Sequence, residues 1–240
     1  SFDDTTNNPD YYIGNIDGVF RIRDTSNAVT RFQVNTDGHI DIAGNLDVGA
    51  GIDVTGAITG TADATINSIS IGKGANSLGS NTVLGANALD ASVTGDNNTA
   101  IGHSVLTNLT SGTFNVGLGA RALVNHTTGT QNTALGYATL EQQTTASLNV
   151  AVGFAALRNS TANNNTAIGH NAMLSTSSGG GNTAVGAAAL DANTTASNNV
   201  AIGNTALGAN TTGTNNVAVG ANALDANTTG SSNVSFGRNS

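Results

Sequence analysis

Ten glycines recur at a fixed interval along most of this chain: Gly85, Gly102, Gly119, Gly136, Gly153, Gly169, Gly186, Gly203, Gly220 and Gly237. Every step is 17 residues except that from Gly153 to Gly169, which is 16. Each glycine closes a copy of one phrase, Asn-Val-Ala-Ile-Gly at residues 199–203, with close variants at 132–136, 182–186 and 216–220. A fixed period leaves few architectures open. One short unit cannot bury its own apolar residues, so units must stack and bury them against each other.

The position pattern within a unit, counted from its Asn, is regular. Position two is Thr or Val, position three is mostly Ala, and position four is always apolar, from Leu84 and Ile101 through to Val219 and Phe236. Position nine is Leu in eight copies and Met173 in the ninth. This spacing predicts two short strands per coil, around positions two to four and seven to nine, with Gly at the bend between them. Positions four and nine are then expected to meet inside a thin core, with the small residues of position three on the outer face. A helical reading fails because Asn, Thr and Gly fill the remaining positions, and these are poor helix formers.

Two large aliphatic residues per coil contribute roughly 1.5–3 kcal/mol each when buried. Ordering the backbone costs on the order of 1–2 kcal/mol for every residue of the coil. That margin is poor for an isolated chain, so an oligomer is expected, a homotrimer around a central axis. With coils stacked about 4.8 Å apart, the nine steps from Asn81 to Asn233 would extend the array by about 43 Å.

The 240 residues divide into three expected segments: an N-terminal strand and hairpin region (1–39), a hexad β-shaft (40–66) and the 17-residue coils (67–240). In the first, residues 19–23 and 30–34 alternate as strands, and Asp37-Gly38 is a hairpin signal. In the second, residues 40–63 can be written in sixes, with apolar residues two apart in the first three. Such a hexad fits one face of a single-chain β-helix or a shaft of three intertwined chains. Ser70-Ile71-Gly72 reads as a first, shortened copy of the coil phrase.

Charge restricts the partners. Charged residues make up 9 % of the chain and the net charge is −8, with ten of fifteen acids in the first 63 positions. No basic groove for nucleic acid is expected. Cys is absent, which excludes disulfides and thiolate metal sites. No apolar run is long enough to insert in a membrane. The chain opens at Ser1 rather than Met, so it reads as a piece of something longer.

The phrase Asn-Val-Ala-Ile-Gly-x-x-Ala-Leu resembles the head repeats of trimeric autotransporter adhesins. The longer form, which adds x-x-Asn-Thr-Thr-Gly, is similar to repeats in bacteriophage tail fibres, and the hexads are similar to fibre shafts. The resemblance covers residues 33–240. It implies an all-β chain, a trimeric parallel β-solenoid (β-roll) of 17-residue coils, preceded by a short hexad β-shaft and an N-terminal hairpin region. It also implies a non-enzymatic structural fibre of a phage tail, located in the virion, which extends towards and adheres to a host surface. Its partners would be other fibre or virion proteins and a glycan or protein receptor. A bacterial trimeric surface adhesin is the first alternative, and an ice-binding solenoid using its Thr rows is the second.

No cofactor or catalytic set is expected. Asp90, Asp191 and Asp225 recur at position ten and read as solvated acids at a strand end. His103 and His170 both follow a coil Gly but sit four coils apart, about 19 Å at ordinary coil spacing; His39 and His126 complete the histidines. Asn81, Asn98, Asn115, Asn132, Asn149, Asn165, Asn182, Asn199, Asn216 and Asn233 are expected to stack as an amide ladder. The pairs Thr127-Thr128, Thr144-Thr145, Thr194-Thr195, Thr211-Thr212 and Thr228-Thr229 are candidate glycan contacts, or alternatively plain turn-forming loop residues.

Overall fold

A computed structural model describes residues 11–24, 28–42, 64–66, 69–74 and 80–240, and among them there are strands and turns but no helix. The chain forms two compact units, Ser1–Thr59 and Gly60–Ser240.

In the first unit, β1 (Tyr11–Ile16), β2 (Val19–Asp24), β3 (Val29–Val34) and β4 (Ile40–Ile42) make an antiparallel sheet in sequence order. Asp17 and Gly18 join β1 to β2 with φ of 53° and 81°, the geometry a two-residue hairpin turn requires. Between β3 and β4, the Asn35 N–H donates to His39 O at 2.8 Å and the Gly38 N–H to Asn35 O at 3.0 Å. Phe20 and Phe32 meet edge to face across this sheet, with centroids 6.2 Å apart. The hexad shaft falls largely on residues 43–63, which lie outside the described residues.

The second unit is a parallel β-solenoid. It is entered by β5 (Ala64–Ile66) and β6 (Ile69–Gly72), an antiparallel pair. β6 also runs antiparallel to β7 (Thr82–Gly85), so Ser70-Ile71-Gly72 is not a shortened coil but a cap strand laid on the first one. From β7 onward every strand pairs in parallel with its successor: β8 (Thr99–Ile101), β9 (Val116–Leu118), β10 (Thr133–Leu135), β11 (Val150–Val152), β12 (Thr166–Ile168), β13 (Thr183–Val185), β14 (Val200–Ile202), β15 (Val217–Val219) and β16 (Val234–Phe236). Register is kept throughout, so Thr133 faces Val150 and Val150 faces Thr166. The 16-residue step therefore leaves the strands untouched; the residue is lost from the polar segment before Asn165.

Two expectations about the coil are corrected. Only positions two to four form a strand. Positions seven and nine take positive φ in nine successive coils, as in Asn87 and Leu89 (55° and 48°) or Ala188 and Leu190 (52° and 54°). This segment is a turn. Its conformation lets two consecutive residues, such as Ala122 and Leu123, both be fully buried, which alternating strand geometry forbids.

The second correction concerns which face is inside. Ala100, Ala134, Ala151, Ala167, Ala184, Ala201 and Ala218, all at position three, are 0 % exposed and pack against the position-nine Leu and Met173. Position four points out: Leu84, Leu118, Leu135, Ile168, Ile202 and Phe236 are among the exposed large hydrophobics. The buried turn brings Leu to the strand from behind and leaves room for a small side chain between them, a methyl in seven coils and Val83 in the first. The larger residue is displaced to the outer face.

Candidate functional site

Four columns of side chains run along the coils, and their chemistry follows from the stacking. The first is the Asn column. Asn81, Asn98, Asn115, Asn132, Asn149, Asn165, Asn182, Asn199 and Asn216 are buried. The amide oxygen of each accepts the backbone N–H of the next Asn in the column, nine bonds of 2.8–3.1 Å ending on Asn233. The amide nitrogen of each donates to a carbonyl late in its own coil, as Asn98 does to Gly112 O and Asn182 to Ala196 O, both at 2.9 Å. Only a carboxamide offers acceptor and donor at once on so short a stem.

The second column is the coil glycine. Gly85, Gly102, Gly119, Gly136, Gly153, Gly169, Gly186, Gly203, Gly220 and Gly237 all have φ between 117° and 153°, where the chain bends off the strand. The site is closed from above as well: a methyl on Gly169 would lie 2.6 Å from the Gly186 carbonyl carbon.

The third column is the Asn-Thr-Thr segment. In three of the five pairs the first hydroxyl is spent on the fold: Thr127 donates to Thr144 O at 3.0 Å, Thr194 to Thr211 O at 3.1 Å and Thr211 to Thr228 O at 3.0 Å. Thr128, Thr145, Thr195, Thr212 and Thr229 are exposed, as are Thr144 and Thr228. The residue preceding the pair turns inward and makes a second buried file, Leu109, His126, Gln143, Ser160, Thr176, Asn193 and Asn210. The sequence pattern did not single out this file. Asn210 Nδ2 donates to Gly213 O at 2.9 Å, but His126 Nδ1 and both amide atoms of Gln143 have no partner. The His126 Nε2 lies 3.3 Å from Asn132 Nδ2; burial lowers the His126 pKa from its ordinary value, only partly opposed by the nearby backbone of Gly129 and Gln143.

The fourth column is position six, just past the glycine, where Ala stands in four of the ten coils and three successive coils carry Tyr137, Phe154 and His170. Their rings stack, with centroids 5.3 and 5.2 Å apart and planes within 16° and 12° of parallel. Tyr137 and Phe154 are about half exposed, and His170 is exposed too. Only His170 was marked by position in the sequence; the signal for the rest was an aromatic at the same position in consecutive coils.

An ion cluster spans three coils, two of them those of Tyr137 and Phe154. Glu141, 1 % exposed, accepts from Arg121 Nε at 2.7 Å and from Arg158 Nε at 2.5 Å, and Arg121 Nη2 also bonds it. Burial alone would raise the Glu141 pKa, but the hydrogen bonds and charges of the two guanidiniums bring it below the usual carboxylate value. Hydrogen bonding to Glu141 raises the Arg121 pKa, and Tyr137 adds a weaker contribution of the same sign.

The remaining sequence candidates stay apart. Asp191 and Asp225 sit two coils apart with Gly208 between them; burial raises the Asp191 pKa, whereas Asp225 is exposed. His39 belongs to the first unit, where its Nδ1 lies 2.7 Å from Asp37 Oδ2. That pairing raises the His39 pKa and lowers that of Asp37. No group of three His, Cys, Asp or Glu able to hold a metal exists among the described residues. No helix among them is long and apolar enough to cross a membrane. Comparison with protein-family models, with curated proteins and with solved structures gives no match.

Proposed function

We propose that this chain is a segment of a homotrimeric fibre that extends towards a cell surface and adheres to it without catalysis. One observation carries the reading. The outer face of the parallel sheet bears an apolar file at position four, flanked at position two by Val116, Val150, Val200, Val217 and Val234 or by Thr. Leu84, Leu118, Leu135, Ile168 and Ile202 are each 40–43 % exposed along it. Contiguous exposed apolar surface of this kind marks an interaction face. Because the file repeats with the coil, its natural complement is another copy of the same file, and three copies around an axis cover all of it. The trimer reading thus rests on the large residues outside, not on the alanines, which are inside.

A stack of identical coils has length but little concavity, which suits spacing and presentation. Exposed Thr hydroxyls repeated coil after coil suit weak contacts made many times over, to a host glycan or a protein receptor. The phage tail fibre remains the preferred setting, with other virion proteins as neighbours, and the bacterial surface adhesin the second.

Fluorescently labelled protein applied to a panel of bacterial surfaces tests this. Saturable adhesion to at least one surface, with no shortening of its polysaccharide, is expected. No saturable adhesion to any of them, or cleavage of the polysaccharide, contradicts it.

A further inference from the structure

We propose that the coil surface bearing Tyr137, Phe154 and His170 is a binding site for an acidic saccharide. The sugar ring caps the open face of Tyr137 at the end of the stack, above Ala120, and its carboxylate meets Arg121 or Arg158. The inference deepens the adhesion reading above and rests on it for its biological setting. The site itself stands on local geometry.

The repeat supplies its own reference. Position six is Ala in the coils of Ala120, Ala187 and Ala221, so the fold does not need an aromatic there. Three in succession, in register, stack with nearly parallel planes, so each inner face is covered by the neighbouring ring and the open faces are that of Tyr137 on the Ala120 side and that of His170 on the Ala187 side. Sugar rings present C–H faces that fit the negative face of an aromatic ring, as other positive edges do. The chain bends at Gly136, Gly153 and Gly169 immediately before these rings, which separates the stack from the strand face assigned to the other copies.

Charge selects an acid. The chain as a whole carries −8, yet between residues 98 and 189 the only charged side chains are Arg121, Arg158 and Glu141, two positive and one negative, a net +1. Both guanidiniums are about half exposed while Glu141 is buried between them. The carboxylate orients the two cations and leaves donors of each free to meet a second, incoming anion. Two cations are too few for a nucleic-acid backbone, whose binding depends on many phosphate contacts.

The test uses the full chain in its native oligomeric state on an array of uronate-bearing, sialylated and neutral oligosaccharides, with affinities then measured calorimetrically. Retention confined to acidic glycans is expected. Tyr137→Ala with Phe154→Ala, which restores the residue other coils carry, lowers that affinity by at least about tenfold. The triple variant Arg121→Gln, Glu141→Gln, Arg158→Gln keeps the stack but loses the preference for acids. Thermal melting of each variant separates loss of the site from loss of the fold. Failure of the chain to retain any acidic glycan overturns the proposal, as does unchanged affinity in the double variant. Adhesion to cells without acidic-glycan binding would sink the site and spare the adhesion reading. Acidic-glycan binding without adhesion would do the reverse.

Discussion

The Asn199 side chain joins two coils and closes a second contact within its own. Its Oδ1 accepts the Asn216 backbone N–H at 2.9 Å, and its Nδ2 donates to Gly213 O at 2.9 Å. All of this is buried, so neither partner can turn to water. Replacing Asn199 by Ala leaves the buried Asn216 N–H unpaired, at about 1–3 kcal/mol, while Gly213 O keeps its bond from Asn210 Nδ2. A fall in stability of about 1–4 kcal/mol is expected in denaturant unfolding, against less than about 0.5 kcal/mol for an exposed residue such as Asn159→Ser. Equal effects at the two positions would remove the ladder from the account.

Gly169 and Gly208 separate the two demands made on glycine. At Gly169 φ is 145° and the next coil leaves no room for a methyl. Gly208 lacks positive φ, and its Cβ would come close to Thr205 O alone, at 3.0 Å, with Thr205 Cβ and Asp191 Oδ1 at ordinary contact distances of 3.6 and 3.7 Å. Gly169→Ala is therefore expected to cost about 3 kcal/mol or more, and Gly208→Ala less than half of that. Melting temperatures of the two variants decide it.

His126 and Gln143 carry unpaired polar atoms in a file where Leu109 sits one coil earlier, equally buried. His126→Leu and Gln143→Leu remove a desolvated group without opening a cavity. Each is expected to stabilise the chain by about 1–3 kcal/mol. A loss of stability in both would show that the file needs its polar members.

The same histidine sets a pH dependence. Its folded pKa is depressed by burial, so the unfolded chain binds the proton more readily. Stability is full above the unfolded value near about 6.5 and declines as pH falls from there through the lower folded value. Glu141, also depressed, adds a second decline in more acid solution, below the ordinary carboxylate range near about 4.3. His126→Leu is expected to abolish the first decline and keep the second, which stability measured across pH will resolve.

The period, the glycine bends and the stacked coils are legible in the sequence because each repeats at one position. The sidedness of the coil is not. Alternation places positions three and four on opposite faces but does not say which is inside when both are apolar. The deciding fact is the positive φ of residues such as Leu123 and Leu140, 53° and 51°, which folds Ala-Leu back behind the strand. Nothing in a leucine announces that conformation. The Tyr137–Phe154–His170 stack was likewise hidden, because three unlike residues 17 and 16 apart become neighbours only once coils are laid in register. The Arg121–Glu141–Arg158 cluster, drawn from two different coil positions, had no periodic signal at all.

The outer file is the surface on which assembly of the copies depends. Ile168 and Ile202 are each 40 % exposed on it, so charging them leaves the Ala-Leu core intact. Sedimentation equilibrium of the native chain, beside the Ile168→Asp, Ile202→Asp variant, is the most direct measurement. The account predicts a three-chain species for the native protein and a shift towards smaller species for the variant. A native protein that sediments as a single folded chain at micromolar concentration would contradict it.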